Sequence, residues 1–169
     1  FVSELGRANA SSSAHTFNLS LKIGGLLLLV FGLALGRYLR QSKVAKFATV
    51  TSVIASLSFA AIGVFPANEW TPHMIAAGTF FTTAMLAIVL FSYCIWKNRQ
   101  RHLHRFITIQ GFIIVGLYIL VLIWPKQLLV QYVHGSADFI RPAIWGLTVL
   151  EWGYCLLIGS WILAVSADI

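Results

Sequence analysis

Apolar residues fall in five long blocks along this chain of 169 residues, separated by short polar or proline-bearing segments. The blocks run over 19–39, 47–65, 72–96, 106–124 and 142–167. Each is close to the ~20 residues with which a helix crosses a hydrocarbon core of about 30 Å. Their apolar character is continuous, which excludes the alternating strands of a membrane barrel. Pro66, Pro72, Pro125 and Pro142 all sit at block ends, where a missing backbone N–H costs least. The pattern predicts an all-α, polytopic transmembrane helix bundle, forming a single domain over 1–169.

Composition agrees. Apolar residues make up 59% of the chain and charged residues only 10%, against about 25% charged in a soluble domain. Most of the surface therefore faces lipid. The net charge of +7 comes from 12 Lys and Arg against 5 Asp and Glu. The loop after the first block holds Arg37, Arg40, Lys43 and Lys46, and the loop after the third holds Lys97, Arg99, Arg101 and Arg105. Basic residues gathered at span ends are topology anchors that touch anionic lipid. They do not form a nucleic-acid surface, so nucleic acid is not expected as a partner.

The positive-inside rule places both basic loops in the cytoplasm. The chain's amino end is then outside and its carboxy end cytoplasmic. The chain opens at Phe1 with a polar, Ser-rich segment that lacks the form of a signal peptide. An outside start of this kind implies a sixth span before Phe1. The expected location is a prokaryotic cytoplasmic membrane.

Candidate chemistry is sparse. Glu151 lies about nine residues, or ~13 Å, into the fifth block. A carboxylate near the bilayer midplane is costly and must face the bundle. Level-matching from the span ends offers Ser56 or Ser58, Thr82 or Thr83, and Tyr118 as its partners. Glu151, Tyr118 and Thr82 are thus the candidate intramembrane polar site. It is either a neutral clasp between helices or a site for a headgroup, proton or ion. A second cluster, Glu4, His15, Glu69, His73, His134 and Asp138, belongs to the outer face. His and carboxylates there could bind metal or do acid–base work. The spacing matches no metal motif, so no metal is expected. His73, Glu4 and Asp138 are the catalytic candidates, with His73 placed to reach across the outer mouth. Lys22, one turn inside the first block, either snorkels outward or pairs with Glu4 or Asp138. No block carries a mid-span His, so an axial haem or chlorophyll ligand is not apparent and no cofactor is expected. Cys94 and Cys155 read as small buried apolar residues.

Packing signals are clearer. Gly32 and Gly36 form a GxxxG pair, Gly24 and Gly25 precede it, and the second block is crowded with Ala, Ser and Thr. Gly78 heads a small-residue stripe in the third block. Such residues let helices approach closely where lipid supplies no hydrophobic drive, and internal packing is favoured over contacts between copies.

Several pieces taken together resemble a known family: Ser3-Glu4-Leu5-Gly6, then Asn9 and Phe17-Asn18, then Gly63-Val64-Phe65-Pro66, then His73, and Gly146 through Glu151. This pattern is similar to the prokaryotic membrane family of domain of unknown function 998, distantly related to the Frag/DRAM/Sfk membrane proteins. The resemblance implies six spans, with the Ser-Glu-Leu-Gly segment just after the first. It also implies Glu-Arg in the last span, where this chain has Glu151-Trp152, so the basic partner is missing. It singles out Glu4, His73 and Glu151 and carries no established activity, though the eukaryotic relatives suggest lipid-linked roles.

Two functions follow as expectations. The first is a non-enzymatic accessory or structural subunit that packs against membrane lipids or other membrane protein subunits. The alternative is a lipid-handling or lipid-modifying enzyme with an outer-face His/carboxylate site. Inverted repeats and broken helices, the marks of a transporter, are not seen.

Overall fold

A computed structural model describes residues 2–7, 12–39, 42–97, 105–123 and 145–168. Its elements are a short 3-10 turn, Val2–Gly6, and five helices: α1 (Ala14–Tyr38), α2 (Lys43–Val64), α3 (Trp70–Lys97), α4 (Arg105–Ile123) and α5 (Gly146–Asp168). All five are long and apolar enough to cross a membrane. The predicted class is what is found, with no strand among the described residues. Only 22–33% of the residues in each helix's most apolar window are buried. Much of the remaining apolar surface faces outward on every helix, as at Leu26, Ile54, Ile75, Phe106 and Leu163, where a bilayer would meet it.

The helix ends differ from the apolar blocks for a local reason. α1 begins at Ala14, five residues before its block, because helical hydrogen bonding extends past the apolar stretch into polar sequence. α2 begins at Lys43 because Ser42 caps it, its hydroxyl accepting the N–H of Ala45 at 3.1 Å. It ends at Val64, just before Pro66. In α3 Pro72 stands third, among N–H groups that no helix turn can satisfy. α5 begins at Gly146 rather than 142; positions 142–144 lie outside the described residues.

Consecutive helices pack in sequence, α1 on α2, α2 on α3, α3 on α4 and α4 on α5, and the 3-10 turn touches both α1 and α5. The α1–α2 seam rests on glycines. A methyl group at Gly25 would fall 2.8 Å from the Ala60 nitrogen and the Ser56 carbonyl oxygen, which are backbone and cannot move aside. Gly32 and Gly36 face Ser52 and Thr49 in the same seam. The GxxxG pair is therefore spent inside the chain. Gly78 departs from the expectation, since no neighbour lies within 4 Å of where its side chain would start. It opens on a cavity instead of closing a helix contact.

A core of Leu35, Phe91, Ile114, Tyr154 and Trp161 joins α1, α3, α4 and α5. The Trp161 indole N–H donates to the Ile107 carbonyl at 3.1 Å, and Gln110 donates to the Ser160 hydroxyl at 2.6 Å. Ser42 Oγ lies 3.7 Å from Cys94 Sγ. The start of α2 and the last turns of α3, which adjoin the two basic loops of the sequence, therefore meet at one end of the bundle, here called the basic end.

Candidate functional site

The opposite end is built from the 3-10 turn and the first turns of α3 and α5. The Asn18 amide donates to the Gly6 carbonyl at 3.0 Å, which ties the turn to α1. Gly63 lies against the backbone of Asn18, which brings the end of α2 onto the same spot. The chain turns at Pro66, whose carbonyl accepts the N–H of Glu69 at 2.8 Å. His73, only 4% exposed, then sets Nδ1 2.8 Å from the Phe65 carbonyl oxygen. That oxygen can only accept, so Nδ1 carries the proton. The ring is thus spent on one side, fixing the α2–α3 turn.

Between these elements lies a cavity of about 280 Å³. Glu4, His73 and Glu151 all line it, together with Arg7 and Trp70. Its apolar walls include Phe59, Phe80, Phe81 and Val121. A relay of rings passes beside it: Phe59 to Phe80 at 4.8 Å, Phe80 to Phe81 at 5.1 Å, Phe81 to Tyr154 and Tyr154 to Tyr118 at 5.5 Å each. Tilted ring contacts of this size are the arrangement that aromatic pairs prefer. Gly78 contributes the space its missing side chain leaves.

Glu151 stands five residues from the start of α5, about 7.5 Å along its axis. Its Oε2 accepts the N–H of Val2 at 3.4 Å, a long and weak bond. Four of the five expected partners are occupied elsewhere. Thr82 and Tyr118 hydrogen-bond to each other at 3.0 Å, Thr83 to the Thr79 carbonyl, and Ser56 to the Ser52 carbonyl. The predicted trio of Glu151, Tyr118 and Thr82 is therefore not one hydrogen-bonded site. Hydroxyls on adjacent helices at one level satisfy each other more cheaply than they reach a carboxylate on a third.

The outer-face cluster separates in the same way. Glu4 and His73 line the cavity, whereas His15 and Glu69 are exposed and do not. Asp138 and His134 lie outside the described residues. Lys22 is exposed on α1 and has no ion pair among the described residues. No three His, Cys, Asp or Glu side chains among the described residues could hold one metal ion. Sequence reasoning passed over Arg7 and Val2 and read Cys155 as a small buried apolar residue; all three line the cavity, and Cys155 is only partly buried. Arg7 had a signal, since it lies three residues after Glu4 and a tight turn brings such positions to one side. Val2 acts through its backbone, which no side-chain pattern reveals.

Glu4, His73 and Glu151, the residues singled out by resemblance, thus meet in one cavity, beside the turn that Gly6, Asn18 and Gly63 pin in place. No curated protein and no solved structure matches the chain. The family model described as "Protein of unknown function (DUF998)" matches residues 1–168, and the chain belongs to that family.

Proposed function

We propose that this chain is a lipid-handling integral membrane protein that holds one amphiphile in the cavity between the 3-10 turn, α3 and α5. The observation that carries the reading is the cavity's lining, a largely apolar wall that also holds a few charged and polar side chains. Phe59, Phe80, Phe81 and Val121 belong to the apolar wall; Glu4, Arg7, His73 and Glu151 are among the polar groups. Ligand sites are commonly apolar clefts with a few placed polar groups, from about 300 Å³ upward. At about 280 Å³ the cavity fits a headgroup and the first part of a chain. It does not fit a whole two-chain lipid.

Binding is favoured over chemistry. Acid–base or nucleophilic work needs a base within reach of a second reacting group and oriented by a third. Here the proton-bearing nitrogen of His73 is committed to a backbone carbonyl. A purely structural subunit would not need a cavity at this place. In the same proposal the basic loops are cytoplasmic, the cavity opens on the outer side of a prokaryotic cytoplasmic membrane, and the distant kinship is to the Frag/DRAM/Sfk proteins.

Photolabelling tests the reading. A diazirine-bearing alkyl probe added to the full chain should label peptides that contain Met74, Val121 or Cys155. Gly78→Trp, which fills the cavity from a position with free space around it, should abolish that labelling while the protein still folds. Equal labelling of the lipid-facing residues Leu26 and Leu163, with no loss in Gly78→Trp, would overturn it.

A further inference from the structure

The cavity's lining contains a chemical imbalance. His73 donates from Nδ1 to the Phe65 carbonyl. In the neutral ring the lone pair is therefore on Nε2, and among the described residues no donor meets it. Glu151 uses one oxygen to accept the N–H of Val2. Its second oxygen has no donor among the described residues either. Both side chains line the cavity. Glu4 and Arg7 line the same cavity, and each has an interaction of its own. On His73 and Glu151 themselves, what is left unmatched is a pair of acceptors, one of them on a carboxyl group.

The walls point the same way. Trp70, Phe17 and Phe59 line the cavity, and aromatic faces attract cations, more strongly where water is scarce. A phosphate or sulfate head would set its own oxygens against acceptors. A quaternary ammonium would satisfy charge and rings but bring no N–H. A primary ammonium brings positive charge and three donors on one atom.

We propose that the cavity's ligand is an amphiphile with a primary ammonium head, seated between Glu151 and His73 Nε2 with its chain against Phe59, Phe81 and Val121. This rests on the amphiphile-binding reading above. It adds the class of headgroup and the two atoms that choose it.

Displacement of the photolabel tests the headgroup. The full chain is purified in digitonin and labelled with the diazirine probe in the presence of dodecylammonium, dodecyltrimethylammonium or dodecyl sulfate. Dodecylammonium is expected to displace the probe at a mole fraction about tenfold lower than dodecyltrimethylammonium, the loss that follows from one missing hydrogen-bond set. Dodecyl sulfate should be the weakest of the three. Glu151→Gln should shrink the advantage of dodecylammonium to about threefold or less. Should that variant not fold, the headgroup series on the unaltered chain decides alone. Equal displacement by all three heads, or equal potency of the two cations, overturns the headgroup inference and leaves the cavity reading intact. Failure of the probe to label the cavity at all overturns both.

Discussion

His73 Nδ1 and the Phe65 carbonyl oxygen lie 2.8 Å apart, and this contact joins the end of α2 to the start of α3. The ring is buried and spans eight positions of sequence. Removing it strands the carbonyl and opens a gap beside the cavity. His73→Ala is expected to lower unfolding stability by about 1–3 kcal/mol, measured by thermal unfolding of the purified protein in detergent. An unchanged midpoint would show that the turn holds itself through the Glu69–Pro66 backbone bond alone.

Gly25 makes the α1–α2 seam possible, and the cost of filling it can be stated. A side chain there meets the backbone of Ala60 and Ser56 at 2.8 Å. Neither helix can yield locally, so the helices must move apart. Gly25→Val should destabilise by about 1–3 kcal/mol, the usual range for overpacking. Gly116 sits on α4 with nothing within 4 Å of its missing side chain. Gly116→Ala should therefore be neutral or mildly stabilising, by up to about 1 kcal/mol from helix propensity. Parallel unfolding curves of the two variants check both statements.

The sequence pattern made the helices legible and left the site only half visible. Long apolar blocks have one solution in lipid, because a backbone without water must satisfy itself within the helix. The glycine seam was readable for a similar reason: Gly32 and Gly36 recur at helical spacing opposite a small-residue helix. Gly78 looked the same in sequence and does something else, since spacing does not tell a packed glycine from one that leaves a void. Glu151 could be picked out as a carboxyl group in an apolar block. Its partner could not, because Val2 offers a backbone N–H across 149 positions. Thr82 and Tyr118 share a level with each other and turn toward each other, and level alone does not fix azimuth.

Ser92 carries a buried hydroxyl that makes no hydrogen bond among the described residues; it fills the place that a side chain at Gly111 would take. Thr108 on α4 has the same defect. An unpaired buried hydroxyl costs free energy that its removal returns. Ser92→Ala should leave stability unchanged or raise it by up to about 1 kcal/mol. Trp161→Phe, one residue contact away, should have the opposite effect. It deletes the N–H that reaches the Ile107 carbonyl at 3.1 Å, and a loss of about 1–2 kcal/mol is expected. A loss of stability in Ser92→Ala would reveal a water-mediated bond at that hydroxyl.

Orientation can be tested from the charges and the fold together. Ser42 and Cys94 approach each other at 3.7 Å, so the start of α2 and the last turns of α3, which adjoin the two basic loops of the sequence, share one end of the bundle. Those loops hold eight of the chain's 12 basic residues and none of its acids. Glu4, Glu69 and the cavity belong to the other end. Moving so many cations across a bilayer is strongly unfavourable during insertion, so the basic end should remain cytoplasmic. Lys43 and Glu69 are both exposed, at the start of α2 and just before α3. With Cys94 and Cys155 replaced by Ala, Glu69→Cys should react with a membrane-impermeant maleimide on intact cells. Lys43→Cys should react only after the cells are opened. The reverse pattern would turn the protein over and put the cavity on the cytoplasmic side. The acceptors at Glu151 and His73 would then meet amphiphiles of the inner leaflet.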